Sequence, residues 1–144
     1  MARIVAVCTS EKKGCKKKAA EEGTLKEDYG LIGDAHADLG NHRQLSLLAI
    51  ESVEKIRKLG ADVGPGDFAE NLTTEGIELF TLPIGTRFGI GDDIILELTQ
   101  IGKECHDRCA IFKQVGTCVM PTEGVFTRVI SGGVVRVGDE IKTI

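Results

Sequence analysis

The sequence predicts a mainly β fold of the α+β class, in which a closed or partly closed β-barrel carries a few peripheral helices. Short segments rich in Ile, Val and Leu recur along the chain, and glycine-containing turns separate them. One segment in the first hundred residues has a clear helical period, whereas a doubly wound parallel sheet would need several crossover helices. The 144 residues fit a single domain, 1–144.

Three strands and one helix are predicted in the first sixty residues. β-Branched residues predict a strand at Arg3–Cys8, and a short strand is predicted at Tyr29–Ile32. Gln44–Leu48 is predicted to be a third strand, which leads into the helix Leu48–Leu59. Apolar residues recur along one face of that helix, and Gly60 ends it.

The last sixty residues are predicted to be richer in strands. Strands at Thr86–Ile90 and Ile94–Thr99 flank a Gly-Asp turn, and strands at Gly124–Ile130 and Val134–Val137 flank the sequence Ser-Gly-Gly. Because glycine accepts positive φ without steric cost, the second pair is predicted to be a hairpin. One or two helical turns are predicted at Ala110–Val115.

The charge balance argues against a general nucleic-acid binder. The net charge is −4, whereas such a protein needs a basic face that exchanges with phosphate counterions. One local exception is a cluster of five lysines within seven residues, which fits either a solvated surface or an anion-attracting rim. Its members are Lys12, Lys13, Lys16, Lys17 and Lys18.

The composition predicts a cytoplasmic protein with reduced thiols. The apolar run at the N-terminus is too short for a signal peptide, and no uncharged stretch is long enough to span a membrane. The five cysteines are odd in number and are not spaced like the disulfide framework of a secreted domain.

The strongest chemical signal is a group of three cysteines within fourteen residues, Cys105, Cys109 and Cys118. A thiol reacts as its thiolate, and neighbouring positive charge lowers its pKa from an unperturbed value of about 8.5. Lys103 and Arg108 are placed in sequence to supply that charge. Cys105 and Cys109 are therefore the candidate catalytic residues.

Other interpretations of these cysteines stay open at this point. A structural zinc site would use the three thiols, with His106 available as a fourth ligand, although a second closely spaced cysteine pair is absent. An iron–sulfur cluster would need a fourth thiolate near by in sequence. Free cysteine is also a common core residue, and Cys118, between Thr117 and Val119, is expected to be buried.

Two histidines in loop-like sequence form a second candidate group. His36 and His42 are six residues apart, and Arg43 and Gln44 follow directly. Histidine can act as a ligand, a general acid–base group or an ordinary surface residue. The adjacent arginine favours contact with an anionic ligand, whereas the spacing is weak as a metal signature.

The third candidate group lies in a loop over residues 65–76, which begins within the Gly-Pro-Gly-Asp turn at 64–67. Small and polar residues in a turn leave backbone N–H groups free for an anion or for the polar edge of a heterocycle. The candidate binding residues here are Asp67, Glu70, Asn71 and Thr73. A capped turn, in which these side chains bond their own backbone, explains the same pattern.

Six blocks of sequence together resemble the MOSC family, named for the C-terminal domain of molybdenum cofactor sulfurases. They occur in the family's order, cover nearly the whole chain and match its short stand-alone members. The blocks are Gly-Asp-Ala-His-Ala (33–37), His-Arg-Gln-Leu-Ser-Leu-Leu (42–48), Gly-Asp-Phe-Ala-Glu-Asn-Leu-Thr-Thr-Glu-Gly (66–76), Leu-Pro-Ile-Gly-Thr-Arg (82–87), Gly-Lys-Glu-Cys (102–105) and Gly-Val-Phe-Thr-Arg-Val-Ile-Ser-Gly-Gly-Val-Val-Arg-Val-Gly-Asp (124–139).

The resemblance implies a barrel-type β fold and a cysteine that carries sulfur or ligates molybdenum. Relatives often have a basic residue two positions before that cysteine, which matches Lys103 and Cys105. Many relatives have proline directly before it, where this chain has Glu104. Cys105 is therefore the expected metal ligand, with Cys109 as the alternative reactive cysteine.

The resemblance also implies a molybdopterin-type cofactor. Its anionic phosphate would need N–H donors and cations, which His42, Arg43 and the loop around Asp67–Thr73 could provide. The full set of expected cofactor-binding residues is His36, His42, Arg43, Asp67, Glu70, Asn71, Thr73, Lys103 and Arg108. In sulfurases the domain follows a pyridoxal-phosphate-dependent desulfurase domain. The 144 residues have no room for that second domain, so pyridoxal phosphate is not expected in this chain. The expected partners are the cofactor or its precursor and a cysteine desulfurase or another cofactor-biosynthesis protein.

The leading hypothesis is a small cytoplasmic protein that binds this cofactor and handles its sulfur or metal through a reactive cysteine. One alternative is a molybdenum-dependent reductase of N-hydroxylated substrates that uses an external electron donor. Another is a non-enzymatic adaptor or zinc-stabilised binding module. If the chain is catalytic, the expected chemistry is sulfur transfer or molybdenum-dependent oxidoreduction.

Overall fold

The computed structural model describes residues 2–10, 18–34, 37–68, 70–102 and 123–144, with only the backbone at residue 18. These ranges contain eleven strands, one α-helix and a 3-10 turn, in agreement with the predicted mainly β class. The strands are β1 Arg3–Thr9, β2 Lys18–Ala20, β3 Glu22–Lys26, β4 Gly30–Leu31, β5 Leu45–Ala49, β6 Leu72–Glu75, β7 Arg87–Ile90, β8 Ile94–Ile101, β9 Val125–Ser131, β10 Gly133–Arg136 and β11 Ile141–Thr143. The helix is α1, Ile50–Lys58, and the 3-10 turn is Leu79–Thr81.

The strands form one large mixed sheet and one small sheet. The eight-stranded sheet has the order β11-β7-β8-β9-β5-β6-β1-β2, and the three-stranded sheet has the order β10-β3-β4. An isolated bridge joins Arg3 to Glu140, so β1 meets the turn before β11 at one point. Within the described residues no ladder closes either sheet, and a closed barrel is therefore not confirmed.

The strands β5 and β6 are parallel, and α1 connects them. Parallel neighbours cannot be joined by a tight turn, so the helix has to cross over between the two strand ends. It starts two residues later than predicted and ends one residue earlier. Its inner face buries Val53 and Ile56, and Gly60, with φ of 102°, ends it as predicted.

The hydrophobic core has two parts. The larger part is aliphatic except for Phe88, as the scarcity of aromatic residues predicts, and it includes Ile4, Leu25, Leu45, Leu47, Leu72, Leu96, Leu98 and Val129. The smaller part lies under α1 and consists of Leu48, Val53, Ile56, Ala61, Val63, Phe68 and Phe126. Side chains of β5 alternate between the two parts because neighbouring residues of a strand point to opposite faces.

The predicted hairpin near the C-terminus is wrong. β9 pairs with β5 and β8, whereas β10 pairs with β3 in the small sheet. The glycines between them allow close packing rather than a positive φ. A Cβ on Gly132 would lie 2.3 Å from the carbonyl oxygen of Leu25, so the chain can cross from one sheet to the other only without a side chain here.

Two strand regions differ from the sequence-based expectation. The polar loop predicted over residues 65–76 contains β6, whose residues Leu72, Thr73 and Thr74 are fully buried. The region between β1 and β4, which carries no strand prediction, contains β2 and β3. The helical turns predicted at 110–115 and most of the lysine cluster lie outside the described residues.

Candidate functional site

His42 and Arg43 lie in an exposed loop directly before β5. The Asn41 side chain shapes this loop: its Oδ1 accepts the backbone N–H of Arg43 at 2.8 Å, and its Nδ2 donates to Asp38 Oδ2 at 3.1 Å. A bond from an Asn side chain to the N–H two residues later makes an Asx turn. The preceding Gly40 has φ of 78°, which glycine adopts without strain.

Arg43 is held over an aromatic ring. Its guanidinium carbon lies 5.9 Å from the ring centre of Phe126, within the range of a cation–π contact. Phe126 is 5% exposed and is opposite Ser46 in the β5–β9 ladder. The buried ring therefore provides a fixed base for an exposed cation.

His42 is held by strand β8. The Nε2 atom of its ring lies 2.9 Å from Gln100 Oε1, and Thr99 Oγ1 donates to its backbone carbonyl. Gln100 Nε2 in turn donates to the carbonyl oxygen of Gly102 at 2.8 Å. We refer to His42, Arg43, Gln100 and Phe126 as the His42–Arg43 surface.

The residues on either side of the segment 103–122 lie beside this surface. The N–H of Gly102 donates to the carbonyl of Gly124 at 2.6 Å, and Ile101 is opposite Val125 in the β8–β9 ladder. Residues 103–122, which we call the cysteine segment, connect these two points. Glu123 attaches the returning chain to α1, since its Oε1 accepts from Ser52 Oγ at 2.6 Å and Lys55 Nζ at 2.8 Å.

Five of the residues predicted for the site lie outside the described residues: His36, Lys103, Cys105, Arg108 and Cys109. Their predicted roles, including that of Cys105 as metal ligand, stay predictions. Within the ranges that are described, no group of three or more His, Cys, Asp or Glu side chains could hold a metal ion.

Glu70 lies buried just before β6. Its Oε1 accepts the N–H of Gly66 at 3.0 Å, and its Oε2 accepts the hydroxyl of Thr73 at 3.0 Å. Burial in a low-dielectric interior disfavours the charged form and raises the pKa of the Glu70 carboxyl to about 7, although the hydrogen bonds partly oppose this effect. Asp67 Oδ2 accepts the N–H of Gly64 at 2.8 Å, so both carboxyls bond the backbone of their own loop.

Asn71 connects three strands. Its Oδ1 accepts the backbone N–H of Ser46 at 3.0 Å and the hydroxyl of Ser46 at 3.2 Å. Its Nδ2 donates to the carbonyl of Cys8 in β1 at 3.2 Å. The side chain is fully buried, and the polar atoms expected to meet a ligand are bonded inside the protein.

The described candidate residues thus fall into two groups. His42 and Arg43 are exposed and lie near Gly102, whereas the fully buried Glu70, Asn71 and Thr73 and the half-buried Asp67 lie in the loop before β6 and at its start. The bond from Asn71 to Ser46 links the two groups, because Ser46 is three residues after Arg43. Sequence reasoning missed Gln100 and Phe126, which are ordinary strand residues until the ladders place them beside this loop.

A cleft of about 340 Å³ lies near the opposite, carboxyl ends of β5 and β6. Of the predicted site residues that the structure describes, none lines it. Its walls include Ile77 and Phe80, and its polar groups include the Ser52–Glu123–Lys55 cluster. In the described part of the chain, no helix is long and apolar enough to cross a membrane.

A sequence model of the MOSC domain matches residues 34–142. YuaD from Bacillus subtilis has a similar structure, with 20% identity, coverage of 98% of this chain and 94% of that chain, and a TM-score of 0.80. YiiM from Geobacillus stearothermophilus has 16% identity, covers 100% of this chain and 75% of that chain, and gives a TM-score of 0.71. YiiM from Escherichia coli has 19% identity, covers 99% of this chain and 69% of that chain, and gives a TM-score of 0.66.

At these identities the structural similarities show a shared fold. No curated protein sequence matches the chain. The family match begins at Asp34 and ends within β11, so it includes the His42–Arg43 surface and the whole cysteine segment. On this match the chain belongs to the MOSC domain family, which is linked to binding of the molybdenum cofactor.

Proposed function

We propose that this protein binds a molybdopterin-type molybdenum cofactor, or its precursor, at the His42–Arg43 surface and handles its sulfur or metal through Cys105. The observation that carries the proposal is the Gln100 bridge, which connects His42 to Gly102, the last described residue before the cysteine segment. The exposed basic pair His42 and Arg43 therefore lies near Gly102, which precedes the candidate thiol of Cys105 by three residues.

The residues of the surface fit the anionic end of such a cofactor. A guanidinium group presents a rigid fork of N–H donors that matches phosphate oxygens. Arg43 is exposed, and its position over Phe126 limits the conformational freedom that it would lose on binding. The neighbouring His42 is already held at its ring and at its backbone carbonyl.

The metal end of the cofactor would require a ligand from the cysteine segment. Thiolate is a soft ligand suited to soft metal centres, and molybdenum in this cofactor supplies redox chemistry when bound. Cys105 is three residues after Gly102, and three residues of chain span at most roughly 11 Å. The thiol of Cys105 is thus tethered close to Gly102, which itself bonds to Gln100.

The buried group supports the site from below in this proposal. Asn71 fixes Ser46 at the start of β5, and Glu70 and Thr73 fix the loop that precedes β6. We infer that these residues stabilise the strand ends that carry Arg43. Direct contact with the cofactor falls to the exposed residues.

Sulfur transfer would require a donor protein. We propose that the protein works in the cytoplasm with a cysteine desulfurase or another cofactor-biosynthesis protein, because a thiolate is a good acceptor of sulfane sulfur. Co-purification from a strain that expresses the chain at its native level would identify such a partner.

The proposal is tested by metal and pterin analysis of protein purified anaerobically under reducing conditions. Molybdenum and pterin fluorescence should elute with the wild-type protein. The Cys105→Ser variant should retain the pterin and lose the molybdenum, whereas the Cys109→Ser variant should retain both. Loss of the metal only from the Cys109 variant would move the ligand role to that residue, and unchanged metal in both variants would refute a cysteine ligand.

A further inference from the structure

Gln100 lies between the His42 ring and the backbone of Gly102, and chemistry fixes its orientation. A carbonyl oxygen can only accept a hydrogen bond, so the Gln100 atom that faces Gly102 must be the amide nitrogen. This contact is 2.8 Å long. The amide oxygen must therefore face His42, where it lies 2.9 Å from Nε2.

The same reasoning determines which ring nitrogen of His42 carries a proton. The Gln100 amide oxygen is an acceptor and has no proton to give, so Nε2 of His42 must be the donor. A neutral imidazole has one donor and one acceptor nitrogen, and Nδ1 is then the acceptor. The described part of the chain gives Nδ1 no hydrogen-bond partner, and the residue is exposed.

We propose that Gln100 is a positioning residue that fixes the Nε2–H tautomer of His42 and thereby presents Nδ1 to the ligand as a hydrogen-bond acceptor. The inference rests on the proposed function and divides the tasks of the surface. Arg43 contacts the anionic phosphate, whereas His42 contacts an N–H or O–H donor of the same ligand, such as one on a pterin ring.

This division makes the surface selective for a ligand that has both groups. Inorganic phosphate would engage Arg43 and, because it is mainly a hydrogen-bond acceptor, would gain little from an acceptor nitrogen on His42. A ligand that carries a phosphate and a correctly spaced donor would engage both residues. Loss of Gln100 should therefore weaken binding of the full cofactor and leave binding of phosphate nearly unchanged.

The tautomer is measured first, without any ligand, by long-range proton–nitrogen NMR on protein with ¹⁵N-labelled histidine. The wild-type ring should be in the Nε2–H form, with slow exchange of that proton with water. In Gln100→Ala the Nδ1–H form should appear and exchange should accelerate. Thr99→Val is the control, because it removes the bond to the His42 carbonyl and leaves the ring contact in place.

Binding is then measured with isolated molybdopterin cofactor and, separately, with inorganic phosphate. Gln100→Ala should weaken cofactor binding by about two- to tenfold, the effect of one hydrogen bond, and should change phosphate binding by less than about twofold. If Gln100→Ala keeps the wild-type tautomer, or changes the tautomer without weakening cofactor binding, the assignment of Gln100 is overturned.

The two measurements separate this inference from the proposed function. If the wild-type protein binds no cofactor, the proposed function fails together with the ligand role of His42. The tautomer of the ligand-free ring still decides whether Gln100 orients it. If cofactor binds and only the tautomer is unaffected by Gln100→Ala, the inference alone fails.

Discussion

At the scale of single residues, the buried carboxyl of Glu70 links stability to pH. Its pKa in the folded protein is about 7 because burial disfavours the charge, whereas the ordinary pKa of an exposed Glu is 4.5. The folded state therefore binds this proton more tightly than the unfolded state does. The resulting stabilisation is fully present below pH 4.5 and is lost as the pH rises to about 7.

We predict that Glu70→Gln removes this loss. An amide mimics the protonated carboxyl, with one acceptor for Gly66 and one donor that the Thr73 hydroxyl can accept. From pH 5 to pH 8 the wild-type protein should therefore lose roughly 2.5 kcal/mol in the free energy of unfolding that the variant keeps. Urea denaturation at the two pH values measures the difference.

Glu75→Gln is the matched control for this experiment. Glu75 is also on β6, but its ion pair with Arg3 is exposed, and such pairs contribute less than about 1 kcal/mol. The control should show no comparable gain. Equal behaviour of the two variants at both pH values would contradict the account of Glu70.

The residue scale also shows what the sequence can predict about the site. His42 and Arg43 are proposed from the sequence because two basic residues in a loop-like segment stand out without knowledge of the fold. The polar residues of the next loop have the same signature in sequence, but Asn71 and Thr73 bond inside the protein. Only the strand pairing distinguishes a polar residue that binds a ligand from one that satisfies buried backbone groups.

At the scale of elements, Asn71 holds β1, β5 and β6 together. We predict that Asn71→Ala lowers the free energy of unfolding by about 2–4 kcal/mol, because the buried N–H of Ser46 and the carbonyl of Cys8 lose their bonds. Asn41→Ala, which removes exposed bonds in the loop, should cost less than about 1 kcal/mol. A fully stable Asn71 variant that no longer bound cofactor would show that Asn71 is a ligand residue instead.

At the same scale, Gly132 lies where the chain passes from the large sheet to the small sheet. We predict that Gly132→Ala destabilises the fold by about 2–3 kcal/mol, since the new Cβ would collide with backbone of Leu25. Gly133→Ala is the control, because its nearest neighbour, 3.1 Å away, is a side-chain atom of Ile94 that can move. Thermal unfolding of both variants tests this, and equal losses would contradict it.

The predicted elements were those with an unambiguous pattern. Strands β1, β8 and β9 have runs of β-branched and apolar residues, and α1 has an apolar stripe that ends at glycine. Strand β6 was missed because its Thr-Thr-Glu sequence is polar, and its neighbours on both sides supply the burial that makes it a strand. The hairpin prediction is wrong because glycines between two strands do not determine whether those two strands pair with each other.

At the scale of the whole molecule, pairings between distant parts of the chain create the candidate site. Residues of β5 and β9 are about eighty positions apart in sequence, yet Ser46 is opposite Phe126. That pairing puts Arg43 over an aromatic ring and His42 beside β8. Local sequence patterns carry no information about such register, so the surface could not be predicted as a unit.

The most direct test of the account is the affinity of ligand-free protein for isolated molybdopterin cofactor, measured by fluorescence for Arg43→Ala and Arg87→Ala. Both changes remove one exposed positive charge, but Arg87 is on β7, a strand that contributes no residue to the His42–Arg43 surface. The account predicts that Arg43→Ala weakens binding roughly 10- to 100-fold, as expected for a charge-assisted bond to phosphate. It predicts wild-type affinity for Arg87→Ala, and equal affinities of the two variants would contradict it.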